Sequence, residues 1–283
     1  MKENIQAISL GDLHPFPGNP FRVQDNDELK EITESVRDYG VMTPLILRPR
    51  DEGGYEIISG HRRARACEKA GITVVPAFVR EMDRDAAVIM LVDSNIHREN
   101  IKPSEKAFAY KMKLEVLRHQ GKRTDLTSVE TEQKLSRGMV AEDVGESQSK
   151  IQRYIRLTEL TPQVLAMVDE GSMALSPAVE LSYLPAEEQT LVLHTMEAVE
   201  CTPSYYQALR MKRLSQEKKL DGEAISSILN EPKPNQKEQI RLKTEKIQGF
   251  FPPGYTSRQM EEIIMRLLAE WQRRRDKNRG AEH

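Results

Sequence analysis

The sequence is poor in cysteine and in aromatic residues. Its two cysteines, Cys67 and Cys201, lie far apart and follow no metal-ligand spacing. We therefore expect small buried thiols in a reducing compartment rather than a disulfide. Aromatic residues make up only 5% of the 283 residues, which predicts modest hydrophobic cores.

Long apolar runs, a secretion signal and a large excess of charge of one sign are also lacking. No run approaches the roughly 18–20 residues that a membrane-spanning helix needs. The N-terminus "MKENIQAISLGD" carries neither an apolar core region nor a cleavage-site pattern, so a soluble, cytoplasmic protein is expected. A net charge of −2 argues against a uniformly basic nucleic-acid binder, and any anion-binding surface must therefore be local.

The hydrophobic periodicity divides the chain into four segments. Residues 1–102 alternate short strands, in "TPLILRPR", "YEIIS" and "TVVPAFVRE", with helices, which predicts a small α+β domain. The first helix, in "DNDELKEITESVRDYG", is expected to be capped by Asp25 or Asp27. Residues 103–230 predict an all-helical domain, residues 231–249 a linker rich in proline and charge, and residues 250–283 a C-terminal amphipathic helix.

A helix-turn-helix is predicted in "MVAEDVGESQSKIQRYIRL". Ala141 falls where two crossing helices leave room for only a small side chain, and Gly145 falls where the sharp turn requires a positive φ. The second helix begins near Ser147 and carries no acidic residue, so its outward face suits bases and phosphates. We expect DNA contacts from Ser147, Gln148, Ser149, Lys150, Gln152, Arg153 and Arg156. An ordinary helical corner with a solvated basic face is the alternative.

Three arginines cluster at the start of a predicted helix in "ISGHRRARACEKAG", residues 58–71. The preceding strand, Gly60 and the helix N-terminus form a generic anion cradle, because backbone N–H groups and the helix dipole favour negative charge there. Arg62, Arg63 and Arg65 add guanidinium groups that suit bidentate phosphate binding. Three cations in one turn favour a phosphate ligand over a solvated helix start.

A second polar cluster, "SNIHREN", ends the next long helix. Its Asn95 and Arg98 would either form a plain helix cap or contact phosphates from the other side. In order, "NPFR", "TPLILRPR", "YEIISGHRRARA", "NIHREN" and the helix-turn-helix resemble the ParB family of chromosome and plasmid partition proteins. The resemblance covers roughly residues 10–230, and the arginine-rich signature is its most specific part.

The resemblance implies a fold, a cofactor and a set of site residues. The fold would be an α+β ParB/sulfiredoxin-like domain, then an all-α helix-turn-helix domain and a short C-terminal helix. The first domain would bind CTP and close two copies into a clamp that slides along DNA, while the second would read a palindromic site. The nucleotide would be held by Thr43, Gly60, His61, Arg62, Arg63, Arg65, Asn95 and Arg98.

Two positions depart from the family's pattern. His61 and Ser94 stand where the family usually carries glutamates that are tied to metal binding and hydrolysis. Because Mg²⁺ prefers hard oxygen ligands, an imidazole cannot replace a carboxylate there. The sequence therefore predicts CTP binding, argues against Mg²⁺ and leaves only weak CTPase activity open. No catalytic residue and no metal ligand is assigned.

The expected function is partition of a chromosome, plasmid or mobile element by a nucleoid-associated homodimer. A palindromic site requires two copies of the helix-turn-helix. The stripe of Ile263, Leu267 and Trp271 would pair with a second copy of the chain or pack against its own chain. A ParA-type ATPase partner is possible, although "MKENIQAISLGDLHPF" lacks the basic, glycine-rich segment that engages it. The alternative is a transcriptional or nucleoid-occlusion regulator without a partition partner.

A sulfiredoxin-like enzyme or a nuclease is disfavoured, because "SGHRR" offers no cysteine nucleophile and no carboxylate cluster can be assembled.

Overall fold

The structure, a computed structural model, describes residues 4–98, 100–122, 138–231, 250–252 and 257–280. Met1–Glu231 form one compact unit and Pro232–His283 a second. The polar stretch "KRTDLTSVETEQ" and the predicted linker lie almost wholly outside the described residues, and the boundary predicted at residue 102 stays a prediction. Within the described ranges, no helix combines the length and apolarity that crossing a membrane requires.

A five-stranded mixed sheet lies in the N-terminal part of the first unit. Its strands are β1 (Ile5–Ser9), β2 (Leu13–Pro15), β3 (Leu45–Pro49), β4 (Tyr55–Ser59) and β5 (Val74–Val79), in the order β1-β5-β3-β4-β2. β3 pairs antiparallel with β4 and parallel with β5. The sequence predicts β3, β4 and β5 but not the two edge strands. The reason is that β1 buries a single residue, Ile8, and β2 is only three residues long.

Three helices complete this α+β part: α1 (Asp27–Tyr39), α2 (His61–Ala70) and α3 (Arg84–Asp93). α1 and α2 pack together over the sheet, and Leu29 and Cys67 are buried there against Leu45. Cys67 is thus the small buried thiol that the sequence predicts, whereas Cys201 is only partly buried. α2 ends at Gly71, which adopts a left-handed conformation as the C-cap.

The predicted cap of α1 is wrong by one residue. Asn26 is the N-cap, and its Oδ1 accepts the N–H of Leu29 at 3.1 Å. The carboxylate of Asp25 instead lies 2.9 Å from Lys69 Nζ on α2. An amide at the cap leaves this carboxylate free for an ion pair between the two helices.

From Pro103 the chain is helical, as predicted. The helices are α4 (Pro103–Lys122), α5 (residues 138–144), α6 (Gln148–Arg156), α7 (Pro162–Asp169), α8 (Leu175–Leu181), α9 (Ala186–Val199), α10 (Tyr205–Gln216) and α11 (Gly222–Asn230). One buried cluster holds α7 to α11 together. Another is continuous from Leu91 of α3 through Tyr110 of α4 to Ile151 of α6. The α+β part and the helix-turn-helix therefore share a core across α4.

The second unit contains α12 (Ser257–Gly280), a helix of 24 residues. The predicted apolar stripe is partly at its surface, since Leu267, Leu268 and Trp271 are between 53% and 59% exposed. The expected succession of an α+β domain, an all-α domain and a C-terminal helix is confirmed. Pairing of α12 with a second copy stays a prediction.

Candidate nucleotide pocket and DNA-binding helix

A cavity of about 540 Å³ opens where the end of β4 meets the start of α2. Its other walls are α1, the loop before β3 and the segment after α3. Seven of the eight residues predicted for the nucleotide site line it: Thr43, Gly60, His61, Arg62, Arg63, Asn95 and Arg98. Arg65 does not. The walls also include Glu31 and Ser35 of α1 and Met42 of the loop that follows it. The sequence gives no signal to select them, because nothing in it shows which parts of this helix and loop meet the pocket.

Gly60 makes the turn from β4 into α2 and cannot be replaced without strain. Its φ is +105°, and an added Cβ would lie 2.9 Å from Leu45 Cγ and 3.3 Å from Arg63 Nη2. As the N-cap of α2 it provides no side-chain acceptor, and the first turn carries no acidic residue. The leading N–H groups of α2 therefore have neither capping partner nor counter-charge, which favours an anion at this end of the helix.

Arg62 and Arg98 lie close to each other and bear like charges. Nη2 of Arg62 is buried and makes no hydrogen bond, although Glu28 Oε2 lies 2.9 Å away as an ion-pair partner. Partial burial, followed by the charge of Arg62, lowers the pKa of Arg98, and Glu105 and Glu28 oppose this shift. Within the described residues the Arg98 guanidinium has no hydrogen-bond partner. Two neighbouring cations without full compensation attract an anion.

The same two arginines also line a second cavity of about 400 Å³. Its walls include Arg22, Glu28 and Glu105. The buried carboxylate of Glu105 accepts the N–H of Arg22 at 2.9 Å and that of Lys102 at 3.2 Å. The first turn of α4 is thereby attached to the "NPFR" loop, beside the arginine pair.

The other two clustered arginines are engaged elsewhere. Arg63 donates from Nη1 to the carbonyl oxygens of Thr43 and Pro44, so it braces the pocket wall. Burial lowers the pKa of Arg63. Arg65 lies on the outer side of α2 and forms ion pairs with Asp25 and Glu68. The three arginines differ because residues of a helix are spaced by about 100° and so face different directions.

His61 is neutral. Its Nε2 lies 3.1 Å from Asn19 Nδ2, and Asn19 Oδ1 accepts the N–H of Phe21 at 3.0 Å. This second bond fixes the amide so that Nδ2 donates to the imidazole, which leaves the ring proton on Nδ1. Burial and then the charge of Arg98 lower the pKa of His61 to about 4.

The helix-turn-helix is formed by α5 and α6. Gly145 has a φ of +66°, and Ser147 caps α6 by accepting the N–H of Lys150 at 3.2 Å. Ala141 is buried at the crossing of the two helices. Six of the seven residues predicted to contact DNA are exposed: Ser147, Gln148, Ser149, Lys150, Gln152 and Arg153. α6 therefore presents a continuous polar face.

Two of the basic residues of α6 have protein partners beside this face. Lys150 Nζ lies 2.7 Å from Glu146 Oε1. Arg153 Nη2 donates to Ser176 Oγ on α8 at 2.6 Å. Both side chains remain exposed to solvent, and these contacts hold them in defined positions on the surface.

Arg156 faces the protein instead. Its Nε donates to Ser182 Oγ at 3.1 Å, and Nη2 donates to the Ser182 carbonyl oxygen. Its Cζ lies 4.1 Å from the centre of the Tyr183 ring. The end of α6 thus attaches to the segment after α8, an arrangement that helical spacing within α6 cannot reveal.

Both parts of the first unit match known protein families. Residues 1–96 match the ParB N-terminal domain, and residues 124–202 match the ParB HTH domain. A probable chromosome-partitioning protein ParB of Pseudomonas putida is 34% identical over 170 residues, which cover 60% of this chain and 53% of that protein. The chain thus spans about half the length of that relative. A probable chromosome 1-partitioning protein ParB of Deinococcus radiodurans is 27% identical over 274 residues, 93% of this chain and 88% of that protein.

A solved structure shares part of this similarity. A C-terminally truncated chromosome-partitioning protein ParB from Caulobacter crescentus, complexed with CTP-gamma-S, is 26% identical, with a TM-score of 0.32. The alignment covers 66% of this chain and 96% of that one. The two domain matches, which follow each other in the family's order and together span more than half of the sequence, show that the chain belongs to the ParB family.

Proposed function

We propose that the chain is a sequence-specific DNA-binding partition protein whose N-terminal domain responds to CTP. Two findings support this proposal. The chain carries a match to the ParB N-terminal domain followed by a match to the ParB HTH domain, and its relatives are named chromosome-partitioning proteins. The DNA-binding element is α6. The ligand-binding element is the cavity at the start of α2.

The observation that carries the nucleotide proposal is the pair formed by Arg62 and Arg98. A triphosphate supplies the negative charge that this pair lacks, and the uncapped first turn of α2 offers backbone N–H donors beside it. Asn95 would add an amide, and Thr43 and Met42 line the same cavity. The residues therefore fit a nucleotide. The preference for CTP follows from the family resemblance.

His61 and Ser94 are the residues of the pocket that concern Mg²⁺ binding and CTP hydrolysis. Nε2 of His61 already accepts a hydrogen bond from Asn19, and Nδ1 carries the proton, so neither nitrogen offers a lone pair to a metal ion. Ser94 donates its hydroxyl to Leu91 O at 3.1 Å. We propose that His61 provides no Mg²⁺ ligand and that neither residue provides a carboxylate base. Weak CTP hydrolysis would then depend on other groups.

Two copies of α6 would read a palindromic DNA site. A twofold-symmetric site matches a homodimer, and the exposed stripe of α12 gives each chain a surface for pairing. A ParA-type ATPase remains a possible further partner. In this arrangement the protein would be associated with the nucleoid.

Selection and calorimetry test the proposal. Duplexes are selected from a random library with the full chain, and CTP, ATP, GTP and UTP are each titrated into it with and without Mg²⁺. We expect one enriched palindromic sequence and binding of CTP in preference to the other nucleotides. Failure to enrich any sequence would refute the DNA-binding proposal, and absence of CTP binding would refute the pocket assignment.

A further inference from the structure

Lys113, near the middle of α4, is a buried cation with a partner on either side. Its side chain is 1% exposed, and it is the only lysine or arginine among the buried residues of the described part of the chain. Its Nζ lies 2.6 Å from Asp93 Oδ1 and 2.9 Å from Asp143 Oδ2. The two carboxylates are about half exposed and belong to different helices.

Stability alone does not account for this arrangement. Removing an ammonium from water is costly, and replacing a buried ion pair by apolar side chains of similar volume is often neutral or stabilising. A methionine at this position would be an apolar side chain of similar length, and α3, α4 and α5 already contribute Leu91, Leu114 and Val140 to one buried cluster. What a buried ammonium with two acceptors adds is a defined relative position of the elements that carry them.

Asp93 is the last residue of α3 and adjoins the pocket. Ser94 and Asn95 follow it and are tied to the same helical turn, because Asn95 Nδ2 donates to Leu91 O at 2.8 Å and Ser94 Oγ donates to the same carbonyl at 3.1 Å. A ligand that binds Asn95 or Arg98 therefore acts on the end of α3. Lys113 holds this end through Asp93.

Asp143, the second carboxylate bonded to Lys113, lies in the helix-turn-helix. It is in α5, two residues before Gly145, whose positive φ begins the turn into α6. α4 also contacts α6 directly, since the rings of Tyr110 and Tyr154 meet edge to face with centroids 5.9 Å apart. A shift of Asp143 relative to α4 would therefore change how α6 is presented to DNA.

We propose that Lys113 is a positioning residue that couples occupancy of the nucleotide pocket to the placement of the helix-turn-helix. The proposal rests on the proposed function, because it needs both ligands. Pocket occupancy displaces Asp93, and the buried ammonium, which is bonded to both carboxylates, carries that displacement to Asp143. The coupling is reciprocal, so DNA changes the affinity for CTP by the same factor.

The test measures coupling rather than binding alone. The Kd for CTP is determined with and without a duplex selected on the wild-type chain, and the ratio of the two values is compared among variants. We expect a ratio between about 5 and 150 for the wild type and below about 2 for Lys113→Met. The Kd of each ligand alone should stay close to the wild-type value, because Lys113 contacts neither ligand.

Lys111→Met is the matched control. Lys111 is two residues away on the same helix, is 39% exposed and pairs with Glu159 at 3.4 Å, so its loss should leave the ratio unchanged. Asp143→Asn, which retains the Asp93 pair, should lower the ratio as Lys113→Met does. If Lys113→Met does not fold, the triple variant Lys113→Met, Asp93→Asn, Asp143→Asn removes all three charges together and must also lose coupling.

The outcomes separate the two proposals. A wild-type chain that binds both ligands without mutual influence would overturn the coupling proposal and leave the proposed function intact. A wild-type ratio that persists in Asp143→Asn would overturn it as well. A wild-type chain that binds no CTP would overturn the pocket assignment and the coupling together.

Discussion

Arg63 donates a hydrogen bond from Nη1 to the carbonyl oxygen of Thr43, so the central arginine of the cluster holds the wall of the pocket. A second bond to the Pro44 carbonyl, at 2.9 Å, fixes the same loop where it enters β3. Arg65 is on the outer face of α2 with Asp25 and Glu68. Of the three clustered arginines, Arg62 alone lines both cavities.

This division of roles predicts unequal effects on nucleotide binding. Arg62→Ala and Arg98→Ala should each raise the Kd for CTP by about tenfold or more, since a hydrogen bond to a charged group is worth about 1.5–3 kcal/mol. Arg65→Ala is the matched control on the same helix and should leave the Kd within about twofold, because an exposed ion pair contributes little. Isothermal titration calorimetry measures all three. Equal losses for Arg62→Ala and Arg65→Ala would place the phosphates on the outer face of α2 instead.

Local features of the sequence predict local features of the fold. The turn from β4 into α2 at Gly60, the positive φ of Gly145 and the start of α6 near Ser147 all depend on residues within a few positions of each other. Glycine and serine have strong conformational preferences at such positions. These predictions are confirmed.

Features that depend on distant residues could not be predicted in this way. Arg63 is bonded to a loop 20 residues away, and Arg156 to Ser182, 26 residues away. A cluster of like charges in one helical turn indicates an anion site, but it does not show which members already have a partner. The short edge strands β1 and β2 depend likewise on pairing with β5 and β4.

Gly60→Ala should destabilise the fold much more than the same change at another left-handed glycine. At Gly60 an added Cβ meets Leu45 Cγ, which is fully buried, at 2.9 Å, whereas at Gly71 (φ +75°) nothing lies within 4 Å. We expect a loss of about 2–4 kcal/mol in the free energy of unfolding for Gly60→Ala and about 1–2 kcal/mol for Gly71→Ala. Urea unfolding followed by circular dichroism gives both values. Similar losses at the two sites would show that contact with Leu45 is relieved at little cost.

His61 should make stability depend on pH in a defined window. Its pKa is about 4 in the folded chain and 6.5 for the ordinary imidazole, so between these values the unfolded chain binds more protons. The stabilising contribution is complete above about pH 6.5 and is lost as the pH falls towards about 4, by up to about 3 kcal/mol.

Urea unfolding of the wild type and of His61→Gln checks this expectation. Between about pH 7 and pH 5 the wild type should lose about 2 kcal/mol more than the variant, whose side chain does not titrate. The remaining histidines are common to both chains and cancel in the comparison. Parallel pH profiles would mean that the imidazole is not held neutral in the folded state.

The two arginines of α6 should affect different measurements. Arg153→Ala removes an exposed cation beside the proposed DNA surface, so DNA affinity should fall, and the slope of log K against log salt should decrease by about 1 if the contact is to phosphate. Arg156→Ala removes the bonds to Ser182 and the stacking on Tyr183, so it should lower the free energy of unfolding by about 1–3 kcal/mol. Its salt slope should equal that of the wild type. Fluorescence anisotropy at several salt concentrations, together with urea unfolding, separates the two effects. A reduced salt slope in Arg156→Ala with unchanged stability would mean that Arg156 turns outward to a phosphate when DNA binds.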